Sequence, residues 1–504
     1  YKRNRGDNLI KKVLGPPGTG KTFTLLEYVD NYLKKGIPID KIGYFAFTKK
    51  AATTAKKRMI KKHPEYKQTQ LKYFQTLHSF CFHTLGLREE NVMQPEHYED
   101  LGRLSNIRSD NNKRLRIIEE SNGYLTSNSE YFQVINKASV KDIPIQSEFN
   151  TNEYSRKLDY QILKHLEVNL ANYKDKNKLI DYTDMIKKYI KEEEKSPTFE
   201  VIFIDEAQDL SPIQWQMFDV LLTKTKDIFL AGDDDQAIFT WAGADVKRFI
   251  EQPAENQFLE QSVRVPKVVQ EISNVILSRI QGPKIKKKYL PSDEEGTQQQ
   301  IYSLDNVDLL KDKWLILVRT NTILERIEEQ LRAKNLYYLT KKNKSYNGRL
   351  FRNILNWTRW TKGENLNITE CKDIFEYLDF EFDEKKLGNS VSIEDAGFNR
   401  NQTWFDAFTK ASNDEKLYIR TMLSNGEKLS QDPRIELSTI HVAKGGEETN
   451  VIVVLDNARK IRQAVEHNID KQDEEHRVWY VAVTRTAKNL YFLKSKIERN
   501  GYII

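Results

Sequence analysis

Residues 15–22 read GPPGTGKT, a GxxxxGK[ST] pattern lying between a short apolar run and a periodic one. Glycines at this spacing let backbone N–H groups turn toward phosphate oxygens, and a helix opening directly afterwards adds its own unpaired amides. Gly15, Pro16, Pro17, Gly18, Thr19 and Gly20 are therefore the expected phosphate cradle. Lys21 would neutralise the β and γ oxygens, and Thr22 would place its hydroxyl on Mg²⁺. Farther along, VIFIDEAQD at 201–209 ends an apolar run in two carboxylates, which cannot be buried without a cation or water to meet them. Asp205 is the expected second Mg²⁺ ligand, and Glu206 the group that polarises an attacking water. A third run, GDDDQAIFTWAGA at 232–244, again closes a strand with acids and an amide, so Gln236 can reach the γ-phosphate or its water. Alone, an Asp-Glu pair or a glutamine in a turn is commonplace. Behind a phosphate loop they point to phosphoryl transfer.

These side chains need α/β units to hold them. KKVL before the glycine loop reads as a strand and FTLLEYVDNYLKKG after it as a helix; IGYFAFT and KKAATTAKKRMIKK repeat that order. Strand character returns at FEVIFID and DIFLAG, and again at KWLILVRT, IELSTIHV and NVIVVLD, so two α/β patterns succeed one another. Polar, helix-like material between about residues 84 and 178 interrupts the first pattern, and an aromatic-bearing, mixed, motif-free stretch near 363–430 interrupts the second; both read as inserted accessory domains. Residues 281–300, rich in Pro, Gly and charge, read as a loop or solvated connection.

Composition sets wider bounds. A chain of 504 residues exceeds one ordinary core and should divide into several domains. Hydrophobic residues at 39% and charged residues at 30% describe a globular chain rather than a disordered one. A net charge of +7 admits a polyanionic partner without demanding it, because both signs are mixed along the chain. Cys81 and Cys371 are the only cysteines, far apart, and support neither a disulfide framework nor a zinc site. No apolar run approaches a membrane span and YKRNRGDNLIKK lacks the apolar core of a secretory signal, so a cytoplasmic, intracellular protein is expected.

The runs GPPGTGKT, FAFTKKAA (45–52), TLHSFC (76–81), IDEAQD, GDDDQAIFTWAGA, LEQSVR (259–264), TIHVAKGGE (439–447) and YVAVTRTA (480–487) together resemble the ordered motifs of superfamily 1 UvrD/Rep-type DNA helicases. The resemblance implies two RecA-like P-loop motor domains, each with a mainly helical inserted accessory domain. The expected division is 1–85 with 179–258 for the first motor domain and 86–178 for its insertion. The second motor domain is expected at 259–362 with 431–504, interrupted by an insertion at 363–430. The resemblance further implies that ATP sits between the motor domains, with Arg264 and Arg485 reaching from the second domain to its γ-phosphate, and with Lys444 and Glu447 near phosphates and ribose. A guanidinium delivered in this way would tie hydrolysis to domain closure.

Single-stranded DNA is implied across both motor domains. Phe47, Phe239 and Trp241 would stack bases, and Thr48, His78 and His441 would donate to phosphates. The plainer alternatives are core packing for the aromatics and a satisfied structural hydrogen bond for Thr48 and the histidines. Val263 stands where the family usually has a tyrosine that packs on adenine, Ala242 replaces a usual arginine, and no adenine-reading glutamine motif is visible in the fourteen residues before Gly15. Base selectivity is thereby left open. Residues 488–504 are too few for an appended nuclease domain, which is not expected.

The function expected is an ATP- and Mg²⁺-dependent helicase that steps 3′ to 5′ along single-stranded DNA and opens tailed duplex DNA, the polarity resting on the likeness of FTKKAA and AVTRTA to the UvrD/Rep branch. No oligomer is required, no membrane is engaged, and proteins of replication or repair are the protein partners that the likeness allows. Two other readings stay open: an RNA or RNA–DNA hybrid helicase, since stacking does not require deoxyribose, and a P-loop loading factor that binds DNA without unwinding. Intact Lys21, Asp205, Glu206 and Arg485 argue against the second.

Overall fold

The computed structural model describes residues 9–107, 116–118, 124–126, 129–151, 154–341, 343–379, 388–466, 468–495, 497 and 500–504. The chain divides into two compact units, residues 1–294 with 468–481 and residues 295–467 with 482–504.

Along the first unit run β1 (Leu9–Leu14), β2 (Ile42–Phe45), β3 (Phe74–Gln75), a short antiparallel pair β4 (Arg116–Ile118) and β5 (Tyr124–Thr126), then β6 (Phe199–Ile204), β7 (Thr225–Gly232) and β8 (Glu255–Phe258). Six of them form one parallel sheet in the order β3-β2-β6-β7-β1-β8. A parallel sheet is covered on both faces, which explains why β6 is apolar and buried from Val201 to Ile204. Successive side chains enter opposite cores: Val13, Tyr44 and Phe203 on one face, with Leu25 and Val29 of helix α1 (Lys21–Lys34), and Leu14, Phe45, Ile202 and Ile204 on the other, with Phe80 and Trp215. Helix α2 (Lys49–Lys62) follows β2 and α3 (Leu77–Thr84) follows β3. The crossovers leave every loop that carries a candidate residue of this unit at a carboxyl end of a strand, where ligands bind in open α/β sheets.

The insertion after α3 is mainly helical, with helices Pro95–Leu104, Glu130–Lys141, Ile145–Phe149 and Tyr160–Asn177 around a core of Met93, Tyr98, Phe132, Leu163 and Leu166. Part of the polar run expected to be helical, residues 108–115, 119–123 and 127–128, lies outside the described residues, as do 1–8.

The second unit contains β9 (Thr297–Ile301), β10 (Trp314–Val318), β11 (Tyr338–Thr340), a small pair β12 (Leu366–Asn367) and β13 (Ser390–Val391), β14 (Ile435–Thr439), β15 (Glu448–Val454) and β16 (Thr486–Leu493). Its main sheet is again parallel, in the order β11-β14-β10-β15-β16-β9.

The packing divides the chain differently from the expected boundaries at two places. Residues 259–294, assigned to the second motor domain, pack with the first unit, because Leu259 N donates to Leu14 O (2.8 Å), Val263 N to Gly18 O (2.9 Å) and Ser262 Oγ to Pro17 O (3.0 Å). The second accessory core also begins earlier than residue 363. Helix Gly348–Thr361 places Trp357 and Trp360 against Cys371, Ile374, Phe408 and Ile419 rather than on the main sheet. Buried tryptophans carry too much apolar area to remain on a surface helix.

Candidate nucleotide site and nucleic-acid interface

β1 runs straight into the glycine loop, and α1 starts at Lys21 with Gly20 as its cap at φ +84° and no side chain accepting from its first-turn amides. The first turn also lacks acidic residues. A helix N-terminus left in this state presents unpaired N–H groups and the positive end of the helix dipole to an anion. Gly18 adopts φ +77° and lies hard against its neighbours: a Cβ there would stand 2.5 Å from Ser262 Oγ and 2.8 Å from Arg264 Cβ. Gly15, Pro16 and Pro17 are buried at the loop's base, and Thr19 Oγ1 donates to Pro16 O (2.9 Å). Lys21 is folded onto the loop, its Nζ donating to Gly15 O (2.6 Å) and Pro16 O (3.3 Å). Burial pulls its pKa down, opposed by the charges of Asp233, Glu206 and Asp205.

From the end of β6, Asp205 reaches the same loop. Its Oδ2 accepts from Thr22 Oγ1 (2.7 Å) and Tyr44 OH (3.0 Å), and its Oδ1 from the Glu206 amide (3.0 Å). A hydroxyl and a carboxylate converging on one point are the hard oxygen donors that Mg²⁺ takes, usually beside waters and substrate phosphates, so Thr22 and Asp205 fit this cation. Burial, and secondarily the charge of Glu206, push the Asp205 carboxyl up to about 6. Glu206 itself sits at φ +58°, a left-handed conformation that costs a non-glycine residue roughly 1–2 kcal/mol.

Glu206 is held from the side by Gln208, whose Nε2 donates to Glu206 Oε2 (2.5 Å) and Asp209 Oδ2 (3.0 Å) while its Oε1 accepts from the Asp233 amide (3.1 Å). Asp233 Oδ2 in turn accepts from Gln236 Nε2 (2.7 Å). The ends of β6 and β7 are thus joined by one hydrogen-bonded chain from the candidate base to the candidate sensor. Lys287 closes it from the segment expected to be a solvated connection. Its side chain is only 4% exposed and its Nζ meets Asp233 Oδ1 (2.6 Å), Asp235 Oδ2 (2.9 Å) and Asp234 Oδ1. Burial opposes the ionised form of Asp233, but Lys287 and Lys21 outweigh it and hold its pKa below the usual range, whereas burial carries Asp235 up to about 6. Tyr44 and Lys287 were not legible as site residues. Gln208 lies inside the DEAQD run, and its position beside the acids was the available signal.

Arg264, expected to reach the site from the second motor domain, is partly buried against Gly18 within the first compact unit. The turn carrying it is tied to the glycine loop by the Ser262 and Val263 bonds given above. In the second unit, Arg485 is buried at the start of β16, with Nη1 3.4 Å from Gly446 O and Nη2 3.2 Å from Thr484 Oγ1. Residues 440–447 form the adjoining turn after β14; His441 and Lys444 are partly buried in it and Glu447 is exposed.

Among the candidate DNA contacts, Phe47 and Phe239 lie together, ring centroids 5.2 Å apart, with Phe239 only 6% exposed and Phe47 partly open. Trp241 is half-buried in a single helical turn, Thr240–Ala242. Thr48 Oγ1 caps α2 by accepting from the Ala51 amide (3.1 Å), and the His78 ring meets Tyr182 edge-on at 5.3 Å. Phe47, Thr48 and His78 follow β2 and β3, on the same carboxyl edge as the glycine loop.

A glycine loop on a parallel sheet, with a hydroxyl–carboxylate pair and a positioned glutamate beside it, defines a P-loop protein equipped for nucleotide hydrolysis, and the two parallel sheets give it two RecA-like halves. Residues 7–257 match the UvrD/REP helicase N-terminal domain and residues 403–496 the UvrD-like helicase C-terminal domain. The chain belongs to the UvrD/Rep family of ATP-dependent DNA helicases. It is 25% identical to a probable DNA helicase II homolog of Mycoplasma pneumoniae, over 98% of this chain and 83% of that protein. A probable DNA helicase of the same organism is 27% identical over 54% of each chain, and the ATP-dependent DNA helicase PcrA of Staphylococcus epidermidis is 22% identical over 71% of this chain and 52% of its own. The chain thus spans about half the length of those last two. Among the described residues, no helix is long and apolar enough to cross a membrane.

Proposed function

We propose that this chain hydrolyses ATP with Mg²⁺ and uses the cycle to step 3′ to 5′ along single-stranded DNA, opening the duplex of a tailed substrate. The observation that carries this reading is the convergence of Lys21, Thr22, Asp205 and Glu206 on the free N-terminus of α1. Phosphates would replace the loop carbonyls as partners of Lys21, and the amides of residues 15–22 would hold the β- and γ-phosphoryl oxygens. Held by Thr22 and Asp205, Mg²⁺ supplies neutralisation of phosphate charge. Glu206 orients and polarises the attacking water, while Gln236 senses the γ-phosphate through the Asp233 and Gln208 chain that joins it to Glu206. Arg264, already beside Gly18, would stabilise transition-state charge. Arg485, Lys444 and Glu447 are the second unit's proposed contribution to the same cycle.

On the DNA side, Phe47 and Trp241 would stack bases at about 1–3 kcal/mol each without sequence preference, with Phe239 backing the Phe47 ring. Thr48 retains its hydroxyl proton for a phosphate after capping α2, and His78 and His441 are the other proposed donors. Proteins of replication or repair are the proposed protein partners, and the chain is proposed to work inside the cell.

Steady-state hydrolysis with and without single-stranded DNA, followed by unwinding of duplexes with a 3′ or a 5′ tail, tests the proposal. DNA stimulation with opening of the 3′-tailed duplex is expected. Opening of the 5′-tailed duplex alone reverses the polarity, and stimulation by RNA but not DNA replaces the substrate.

A further inference from the structure

Resting on the hydrolytic reading above, we infer that Lys287 is the positioning residue that sets the geometry of the water-activating groups, by fixing Asp233 at the branch point between Gln236 and Gln208. Three carboxylates, Asp233, Asp234 and Asp235, are crowded together in the interior, with ligating oxygens within 4.8 Å of one another. Left without a counter-ion they would separate or take up protons. Lys287 is that counter-ion, one ammonium hydrogen-bonded to Asp233 and Asp234 and ion-paired with Asp235.

The consequence lies one bond further on. Asp233 uses Oδ1 for Lys287 and Oδ2 for the Gln236 amide, while its backbone N–H takes the Gln208 carbonyl, leaving the Gln208 amide to hold Glu206. A shift of Asp233 therefore moves the candidate sensor directly and the candidate base through Gln208. Glu206 sits in a strained backbone conformation, so it depends on such support to keep its place. The loop that delivers Lys287 is itself anchored twice. Ile285 N donates to Asp234 Oδ2 (2.9 Å), and Asp473 accepts from Gln281 N (3.0 Å) and Gly282 N (2.7 Å). Among the described residues the Lys287 ammonium bonds to the three acids and not to the glycine loop, so its effect should fall on turnover and spare nucleotide binding.

Lys287→Met, Lys287→Gln and Lys287→Arg separate this role from simple structural support. In folded Lys287→Met, kcat for ATP is expected to drop at least 30-fold while KM, and the affinity for a fluorescent ADP measured by titration, stay within threefold of wild type. Lys287→Arg, which keeps the charge and several donors, is expected to recover kcat to within tenfold. A Lys287→Met protein that turns over within threefold of wild type overturns the inference, and so does a loss confined to KM. If Met does not fold, Gln is read by the same criteria. If neither neutral variant folds, Arg decides: kcat within tenfold supports the role, and a loss beyond hundredfold with ADP affinity intact overturns it. Wild-type turnover and its abolition by Lys21→Ala establish the hydrolytic reading separately, so failure of one is not mistaken for failure of the other.

Discussion

Replacing Asp205 by asparagine should make the nucleotide-free chain more stable while removing its activity. In the folded protein, burial and the neighbouring Glu206 carry the Asp205 carboxyl from its ordinary 3.8 to about 6. That displacement penalises the ionised form by up to about 3 kcal/mol. The sign follows from proton binding: a raised native pKa means that the folded state holds a proton more tightly than the unfolded one, so stability is lost as pH rises from about 4 to about 6 and stays lost above that. Asparagine has no such penalty. Its carbonyl can accept from the Glu206 amide, and its amide can donate to the Thr22 and Tyr44 hydroxyls, which rotate to accept. At pH 8 in EDTA, Asp205→Asn should therefore melt roughly 3–6 °C above wild type by calorimetry, at about 2 °C per kcal/mol for a unit of this size. The advantage should shrink to nothing near pH 4. With Mg²⁺ and a nonhydrolysable ATP analogue the order should reverse, because the wild-type carboxylate gains a cation and the amide does not, and hydrolysis should fall at least a hundredfold, about 2.7 kcal/mol of barrier. Equal melting at pH 8, or an advantage as large at pH 4 as at pH 8, would refute the reasoning.

Lys21→Ala should abolish hydrolysis yet leave single-stranded DNA binding measurable by fluorescence anisotropy; normal turnover in this variant would remove the glycine loop from the chemistry. Gly18→Ala has to hold φ +77° at roughly 1–2 kcal/mol and also displace Ser262 Oγ and Arg264, so nucleotide affinity should drop at least tenfold in equilibrium titration, and unchanged affinity would mean that the loop moves freely. Trp241→Ala should lower DNA-stimulated turnover more than basal turnover, and equal effects on both would assign Trp241 to packing.

What could be read from the sequence is what chemistry compresses into short runs. The glycine loop, Asp205 and Glu206 were legible because an apolar strand ending in glycines or paired acids has few other uses, and the central strands β6, β10 and β15 were legible by their apolar stretches, whereas polar edge strands such as β8 (ENQF) and β9 (TQQQI) were not. Strand order was not, since β7 lies between β6 and β1 only through crossovers that no local pattern encodes. The same limit hid Lys287. Nothing in KIKKKYLP marks the third of its lysines, and it differs from Lys286 and Lys288, both exposed, only because the chain returns across 50 or so residues to Asp234. Arg264 shows the converse: the motif identified the residue, but the unit that carries it depends on whether residues 259–294 bond to the glycine loop. A buried lysine with three carboxylates is costly unless every donor is met. Its place at the point where the sensor and base networks join is more economically explained by control of Glu206 and Gln236 than by stability, since an apolar replacement of the cluster would pack the same space without that penalty.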